Sequence, residues 1–371
     1  MWVPPRTFFA SLQVDFQEGR ILMRIRCFHT ALSFLWIALI LAGHSLAADP
    51  VSPYTRTVVD MSGKTVKIPQ VINRIVITCQ GGASHEISVL GCADKIVAQP
   101  AMRSFPQLLK IYPRFRNIPD AGSFDAVNVE HIMTLKPDIV VASVTSMQGN
   151  KKIESLGIPV VTVSTGRADV DRLLKEFAMM GKILGKEKRA EALVQYWNDY
   201  LSLMQKRIST VSGVRKKKVF YTSSGSGFTV ERELGWGHHF ITASGGINVS
   251  KDLKFGGEVT PEQLLIWNPD VVITRNNKIT RLSNSAVRDN PRLKQLRAVK
   301  ANTVYRCPTG AFWWDRPSPE AILGIMWLAK TLYPEAMGDI DLKRETMSFY
   351  KIFYRYVLTD IEYDTFFSEA Y

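Results

Sequence analysis

The sequence predicts an α/β fold of two Rossmann-like lobes with parallel sheets, joined by one long α-helix. A stretch of about 23 residues near the middle of the chain, 186–208, carries apolar residues at helical spacing without proline or glycine, and would span roughly 35 Å. On either side of it, the segments 130–141 and 262–273 repeat one another. Both run from Glu through two apolar positions to Pro-Asp and a strand. Elsewhere short apolar strands alternate with helices, which implies parallel sheets.

These observations divide the chain into three parts after its first segment. We expect an N-terminal lobe at 48–185, a connecting helix at 186–212 and a C-terminal lobe with a C-terminal helix at 213–371. The alternative is a single large α/β domain with a buried helix. The repeat argues against it, because the same pattern is unlikely to arise twice by chance.

The elements of the N-terminal lobe follow from short apolar runs and turn residues. A hairpin is predicted over 57–68, with Ser62-Gly63 at its turn. Strands are predicted at 74–78, 95–98, 138–143 and 160–163. Helices are predicted after 80–85, after an N-cap at Asn128, before 156 and over 169–184.

The C-terminal lobe repeats this pattern. Strands are predicted at 218–222, 271–274 and 303–306, and helices at 238–244, 318–332 and 342–358. A further helix begins after Thr260, with Pro261 at its first position, the arrangement that N-termini favour. The loop 223–227 is rich in glycine but lacks the Gly-Lys-Ser/Thr of a P-loop. We interpret it as a loop that lets the backbone approach a ligand.

The first 47 residues predict a signal peptide with an upstream extension. A basic stretch at 23–30 precedes an apolar run at 31–43, and small residues at 45–47 offer a cleavage site. The apolar run is shorter than the ~20 residues of a membrane span. Met23 is the expected start, because 1–22 fit no targeting pattern. The cleavage site has no cysteine, so we expect a free periplasmic protein without a lipid anchor.

The charge and the cysteine content narrow the range of possible ligands and bound metals. The net charge is +13, and it becomes +11 when 1–47, with four arginines and two acidic residues, are removed. Such a basic exported protein favours an anionic ligand or an acidic surface, and its dispersed lysines and arginines argue against nucleic acid. The cysteines that follow the predicted cleavage site, Cys79, Cys92 and Cys307, are an odd set without a CxxC motif, so a disulfide framework or zinc cluster is not expected. Buried thiols are expected, with a Cys79–Cys92 bridge as the alternative.

The repeated segments resemble those of a known family. Asn128-Val-Glu-His-Ile-Met-Thr-Leu-Lys-Pro-Asp138 and Thr260-Pro-Glu-Gln-Leu-Leu-Ile-Trp-Asn-Pro-Asp270 are similar to segments of periplasmic solute-binding proteins that serve ABC importers of iron siderophores, haem and cobalamin. The resemblance covers about 58–356. It implies the class III periplasmic binding protein fold and a monomer that binds a metal chelate between its lobes. It also implies delivery to an inner-membrane permease dimer with a cytoplasmic ATPase.

In such folds ligands bind in the crevice at the carboxyl ends of the strands. The loops there supply these candidate ligand-binding residues: Gln80, His85, Phe124, Arg232, Trp236, His238, His239, Arg275, Phe312, Trp313, Trp314 and Arg316. Phe124 matches, by its distance before Asn128, a position at which family members place an aromatic residue against the ligand. A core position is the alternative for Phe124.

The loop 310–319 is the richest in candidate residues. Its three adjacent aromatics fit no strand or helix period that would bury all of them, so at least one should face solvent or a ligand. Aromatic faces can stack on planar chelates, and Arg316 can bind carboxylate or catecholate oxygens in pairs. The alternative is that the tryptophans pack over the next helix and that Asp315 caps it.

A direct metal ligand and an enzymatic role are both open but weakly indicated. His238 or His239 could coordinate a metal, although two adjacent histidines lack the usual ligand spacing. We expect no intrinsic cofactor, and no Ser-His-Asp triad, P-loop or HExxH motif is evident. The expected ligand is a ferric siderophore first and haem or a corrinoid second. A two-lobed chelatase-type enzyme and a periplasmic ligand sensor are the alternatives.

Glu130 and Glu262 occupy the same place in the two repeats, one residue inside a helix start. A carboxylate there complements the helix dipole, typically by about 0.3–1 kcal/mol. That effect accounts for each glutamate but not for their symmetry. The resemblance implies that the two glutamates dock the two permease subunits.

Overall fold

The computed structural model describes residues 55–210, 215–222, 228–231, 235–254, 256–275 and 285–368. These residues belong to one compact unit, Ser52–Tyr371. Three predictions lie outside them: the signal peptide at 1–47 with its upstream extension, the glycine-rich loop at 223–227, and the candidate ligand residue Arg232.

The N-terminal lobe is built on a parallel sheet whose strands are apolar along their whole length. Its order is β4-β3-β7-β8, with β3 at Ile75–Ile77, β4 at Ile96–Ala98, β7 at Ile139–Ser143 and β8 at Val160–Val163. Nearly every residue of these strands is buried, as expected for a parallel sheet that is covered on both faces. The predicted hairpin precedes the sheet, as antiparallel β1 (Thr55–Val59) and β2 (Thr65–Pro69).

The C-terminal lobe repeats this architecture. Its parallel sheet has the order β11-β9-β13-β14, with β9 at Lys218–Thr222, β11 at Ile247–Asn248, β13 at Val271–Thr274 and β14 at Val304–Arg306. Two short antiparallel pairs complete the strands, β5 (Gly122–Ser123) with β6 (Ala126–Val127) and β10 (Thr229–Val230) with β12 (Gly257–Glu258). The prediction of two α/β lobes with parallel sheets is confirmed.

Helices connect the strands in both lobes. In the first lobe they are α1 (Ala83–Val89), α2 (Pro106–Ile111), α3 (Val129–Thr134), α4 (Met147–Glu154) and α5 (Val170–Leu184). The connecting helix is α6 (Glu187–Thr210). In the second lobe they are α7 (Trp236–Ala243), α8 (Pro261–Trp267), α9 (Ser285–Arg288), α10 (Arg297–Lys300), α11 (Ala321–Leu332), α12 (Leu342–Phe349) and α13 (Asp360–Thr365). Single 3₁₀ turns lie at Ala93–Lys95, Pro113–Arg116 and Pro291–Leu293. Within the described ranges no helix is long and apolar enough to cross a membrane.

The aspartate of the repeated Pro-Asp pair makes the same kind of hydrogen bond in both lobes. Asp138 Oδ2 accepts hydrogen bonds from the backbone N–H groups of Asn73 (2.6 Å) and Arg74 (2.8 Å), which lie just before β3. Asp270 Oδ2 accepts one from the N–H of Lys218, the first residue of β9, at 2.8 Å. Each aspartate therefore binds the start of the central strand beside it, which gives the repeated residue a structural reason.

The connecting helix is packed along its length against the rest of the chain. Gly185, with a left-handed φ of 63°, ends α5 and turns the chain into α6. A Cβ on Gly181 would collide with the Cβ of Ala190, so glycine lets the two helices approach closely. Trp197 is fully buried, and its Nε1 donates to the carbonyl of Pro319 at 3.1 Å. The helix is thereby tied to the C-terminal lobe.

Three predicted helix bounds were wrong, two of them for a local reason. The helix predicted at 318–332 begins at Ala321, because a residue before proline, here Ser318, is disfavoured in helical conformation. The helix predicted at 342–358 ends its regular part at Phe349 and continues as a π-helical turn, Tyr350–Tyr354, which Arg355 ends with a left-handed φ of 55°. The helix predicted at 238–244 begins two residues earlier.

The three described cysteines are buried free thiols, as predicted. The alternative of a Cys79–Cys92 bridge is wrong. The two residues flank α1, whose seven residues span roughly 10 Å, and a disulfide requires Cα atoms within about 7 Å.

We predict that the lobes close only slightly on ligand binding. The connecting helix runs unbroken for 24 residues, and the lobes already touch at the base of the cleft, where a Cβ on Gly82 would lie 2.5 Å from the carbonyl oxygen of Pro317. Small-angle scattering of the protein with its native ligand retained and removed measures the change. We expect the radius of gyration to change by less than about 1 Å, as for a stiff hinge. A larger fall would contradict a rigid hinge.

Candidate functional site

A cleft near the carboxyl ends of the two sheets is the candidate ligand site. It has a volume of about 870 Å³. Its walls come from the loops after β3 and β8 in one lobe, and from the residues around β10, α7, β13 and the loop before α11 in the other. The described residues that line it are Gln80, Gly81, Thr165–Asp169, Arg172, Glu231, Gly235, Trp236, His239, Arg275, Phe312, Trp313, Arg316 and Pro317.

Two arginines of the C-terminal wall are held by one hydroxyl. The Tyr221 OH accepts hydrogen bonds from Arg316 Nη1 (2.6 Å) and Arg275 Nε (3.2 Å), and donates to Asp315 Oδ2 at 2.8 Å. Arg275 Nη2 also donates to Glu231 Oε1 at 2.6 Å. The two guanidinium groups are therefore oriented by buried or half-buried partners before any ligand arrives.

The charge state of this network follows from its burial. Burial raises the pKa of Asp315 to about 6, although Arg275 and Tyr221 oppose the shift. Burial lowers the pKa of Arg275, but nearby Tyr221, Asp315 and Glu231 outweigh it and raise that pKa above its ordinary value. The guanidinium group of Arg275 thus remains cationic. As the carboxyl of Asp315 takes up a proton near pH 6, the wall becomes more positive.

The N-terminal wall adds two more arginines. Arg167 and Arg172 are both exposed at the cleft, and Asp169 between them caps α5 by accepting from the N–H of Arg172 at 2.7 Å. Gly81 is required here, since a Cβ would lie 2.8 Å from the Thr165 hydroxyl. Among the described lining residues, four arginines face two carboxylates, those of Asp169 and Glu231. The cleft therefore favours anions.

The aromatic loop divides its side chains between the cleft and the core. Phe312 and Trp313 line the cleft, and the Arg316 guanidinium lies 5.8 Å from the centre of the Trp313 ring. Trp314 is fully buried, and its Nε1 donates to Glu320 Oε2 at 3.0 Å. The prediction that Trp314 faces the ligand is thus contradicted, because a buried carboxylate holds it in the core.

Glu320 is the residue whose hydrogen bonds hold this loop in place. Its other oxygen, Oε1, accepts from the Tyr350 hydroxyl at 3.2 Å, and that hydroxyl accepts from the backbone N–H of Ala311 at 2.7 Å. A Cβ on Gly310 would collide with Glu320 Oε2, so the loop can approach only as glycine. Burial raises the pKa of Glu320 to about 7. Asp315 pairs with Tyr221 and does not cap α11, so that part of the alternative is wrong. The other part is confirmed for Trp314, which packs against Gly324 of α11.

His85 joins the two lobes and does not line the cleft. It lies inside α1, fully buried, and its Nε2 donates to the carbonyl of Ala311 at 2.9 Å across the lobe boundary. Its ring packs between Phe105, 5.5 Å away, and Phe312, 4.3 Å away. The prediction that His85 binds ligand is contradicted, because a loop expected to be open forms a buried helix.

The remaining predicted residues are divided between the cleft and its surroundings. Gln80, Trp236 and His239 line the cleft, whereas His238 and Phe124 do not. Phe124 has a φ of 54° and packs partly against the core, which fits the alternative stated for it. The two histidine rings lie 5.5 Å apart. In the described part of the chain, no three His, Cys, Asp or Glu side chains form a group that could hold a metal ion.

The family model for periplasmic binding proteins matches residues 77–311. The chain belongs to this family. It is thus a periplasmic binding protein.

Two curated relatives and one solved structure illustrate the similarity. The molybdate-binding protein MolA of Haemophilus influenzae is 27% identical over 81% of this chain and 91% of its own length. The uncharacterized ABC transporter substrate-binding lipoprotein YvrC of Bacillus subtilis is 26% identical over 82% and 98%. A periplasmic solute binding protein from Veillonella parvula has a TM-score of 0.73 and 29% identity, with 84% of this chain and 97% of that one covered.

Sequence reasoning missed four residues that shape the cleft: Tyr221, Glu231, Asp315 as an ion partner, and Arg172. Arg172 carried a usable signal. It lies in the first turn of α5, where a basic side chain opposes the helix dipole. A side chain that destabilises the helix on which it lies is a candidate for ligand binding. Tyr221 had no such signal, since its place inside an apolar strand is typical of the core.

We predict that His85 makes stability depend on pH. Burial lowers the pKa of His85 from 6.5 to about 3, so the unfolded chain takes up a proton that the folded protein excludes. The stability it contributes is present above pH 6.5 and is lost as pH falls toward 3, by up to about 1.4 kcal/mol per pH unit. His85→Gln keeps a donor for Ala311 without this titration. Urea unfolding at pH 7, 6, 5 and 4 should give a stability difference between wild type and variant that changes with pH.

The control for this measurement is Phe105→Leu. It loosens the same aromatic contact without removing a titratable group, so its stability difference from wild type should stay constant with pH. A pH-independent difference for His85→Gln would contradict the prediction.

Proposed function

We propose that this periplasmic binding protein captures an anionic, oxygen-rich iron chelate in its cleft and delivers it to an ABC importer. A ferric siderophore is the preferred ligand, and haem or a corrinoid is a related one. The observation that carries this proposal is the cleft lining, in which four arginines and only two carboxylates accompany three aromatic side chains, Trp236, Phe312 and Trp313, among the described residues.

The arginines suit ligands with paired oxygen atoms. A guanidinium presents two parallel N–H groups that match a carboxylate or catecholate edge. Arg275 and Arg316 are already oriented by Tyr221, so they lose little conformational freedom on binding. Arg167 and Arg172 lie on the opposite wall. An anion between the lobes would therefore be bound from both sides.

The size and apolar surface of the cleft favour a chelate over a bare ion. About 870 Å³ is within the range of pockets for drug-sized ligands, roughly 300–1,000 Å³. Trp236 and Trp313 offer flat apolar surface that a small hydrated ion does not need. In this proposal the chelator supplies the ligands of the metal, and the protein recognises the chelator.

A second candidate is a tetrahedral oxyanion such as molybdate. It is favoured by the 27% identity to MolA, a molybdate-binding protein. The same arginines would bind its oxygens, and the aromatic wall would then serve only to exclude water. The two candidates differ in whether a chelator is required. An iron chelate binds only as the complex of metal and chelator, whereas an oxyanion binds without a chelator.

We predict that a ferric siderophore quenches the tryptophan fluorescence of the protein, because Trp236 and Trp313 lie at the cleft. The titration panel contains ferric catecholate and citrate chelates, haem, cobalamin, molybdate and free divalent metals. Arg316→Gln should weaken binding by about tenfold or more, as expected for a lost charge-assisted hydrogen bond. Arg288→Gln, an exposed arginine outside the cleft lining, is the control. Binding of molybdate alone would support the second candidate, and binding of free divalent metal alone would refute both.

Delivery in this proposal uses Glu130 and Glu262. Each is the second residue of a helix, α3 and α8, and each follows an N-cap whose side chain accepts a backbone N–H, Asn128 at 2.9 Å and Thr260 at 3.2 Å. Both glutamates are exposed. Glu262 pairs with Arg292, but both side chains are more than half exposed, so this ion pair is weak and can exchange for a permease partner.

We predict that the double variant Glu130→Ala, Glu262→Ala binds ligand normally but fails to support uptake. A charge pair at an interface rim acts mainly on encounter and orientation, so delivery should be lost while the cleft is unchanged. Uptake is measured in cells that express each variant in place of the wild type, and affinity by the fluorescence titration. Glu335→Ala, an exposed glutamate elsewhere on the C-terminal lobe, is the control. Undiminished uptake, or loss of ligand affinity, would show that the glutamates do not act in docking.

A further inference from the structure

A second, smaller cavity lies at the hinge, and it shares no described residue with the cleft. Its volume is about 270 Å³. It is formed where the end of α1 and the 3₁₀ turns after it meet the start of the connecting helix and the π-helical turn near the C-terminus. We call this cavity the hinge pocket and define it by Ser88, Asp94, Tyr112, Arg114, Arg189 and Arg355.

The hinge pocket concentrates positive charge. Arg114 comes from the N-terminal lobe, Arg189 from the connecting helix and Arg355 from the C-terminal segment. Asp94 is the single carboxylate among its described lining residues. In the described parts of the chain, no carboxylate lies within ion-pair distance of any of the three guanidinium groups, although twelve such pairs occur elsewhere.

Two of the three arginines have a structural role that does not remove their charge. Arg114 donates to the carbonyls of Ala93 at 2.5 Å and Ile96 at 3.2 Å. Arg189 donates to the carbonyls of Val89 and Phe353. These contacts hold the two side chains in place. They also give both arginines a structural role, because each binds backbone carbonyl groups at the ends of helical turns. Neutral carbonyls leave the positive charge of each group uncompensated.

Arg355 has no comparable explanation, and its charge acts on its neighbours. Burial lowers the pKa of Arg189, and Arg355 lowers it further by repulsion. Burial raises the pKa of Tyr112 to about 12, although both arginines oppose the shift. Arg189 and Arg355 thus repel each other at a cavity that Arg114 also lines and that is large enough for a small anion. Such an arrangement is stabilised when an anion enters.

We propose that the hinge pocket binds a phosphate-type oxyanion between the guanidinium groups of Arg114, Arg189 and Arg355. The oxyanion accepts charge-assisted hydrogen bonds from groups of both lobes and of the connecting helix. It therefore braces the hinge from a site separate from the cleft. The phosphate group could come from the free anion or from a phospholipid headgroup, and the experiment distinguishes the two.

The test measures thermal unfolding of the whole chain in inorganic phosphate and in chloride at equal ionic strength. We expect phosphate to raise the melting temperature of the wild type. We expect its dissociation constant from the wild type to be at least about tenfold lower than its dissociation constant from Arg355→Asn. Asparagine is chosen because it tolerates the left-handed backbone of Arg355. Arg355→Lys keeps one charge and should lie between the two.

Two further variants exclude binding elsewhere. Arg288→Gln on the surface should retain the full phosphate effect. In the Arg316→Gln background, which removes an anion-binding group of the cleft, the additional substitution Arg355→Asn should still weaken the phosphate effect. An equal effect in Arg355→Asn, or its loss in Arg316→Gln alone, would overturn the proposal, since the anion would then bind outside the hinge pocket.

Vesicles identify the source of the phosphate group. Cosedimentation with phosphatidylglycerol but not phosphatidylcholine vesicles, lost in Arg355→Asn, would assign the site to a lipid headgroup. A phosphate effect without cosedimentation would assign it to the free anion. Absence of both would refute the hinge pocket as an oxyanion site.

Discussion

The buried carboxylate of Glu320 is the constraint on which the ligand site depends. Removing a carboxylate from water is expensive unless donors surround it, and here Trp314 and Tyr350 donate to it from different parts of the chain. Tyr350 in turn accepts the N–H of Ala311, whose carbonyl accepts from His85 of the other lobe. This chain of hydrogen bonds sets the path of the loop that carries Trp313 and Arg316. Loss of any member would leave buried polar groups unpaired, which favours this conformation of the loop over others.

The fold was predictable because its signals are local and repeated. The helical period of 186–208 needed no partner to be recognised, and the Pro-Asp step recurs because Asp138 and Asp270 each bind the start of the adjacent central strand. The predicted caps at Asn128 and Thr260 were likewise decided by neighbouring backbone groups. Such interactions extend over a few residues or follow from the sheet itself, so a single sequence carries them.

The site was predicted less well because its decisive contacts are tertiary. Adjacent aromatics indicated that one of the three was exposed, but the burial of Trp314 depends on Glu320 and on Tyr350, which lies 36 positions further along. His85 was expected in an open loop, and its contact with Ala311 bridges 226 residues. The π-helical turn Tyr350–Tyr354 fits aromatic packing that no helical period encodes.

The hydrogen bond between His85 and Ala311 has a consequence for the thermodynamics of ligand capture. It joins the lobes directly, so little conformational entropy is lost when a ligand binds between them. Association is then governed by diffusion and desolvation and does not wait for a domain rearrangement. The reverse step is affected equally: dissociation does not wait for the lobes to separate either, so the time that a ligand stays bound depends on the contacts it makes with the cleft and not on a closed lid.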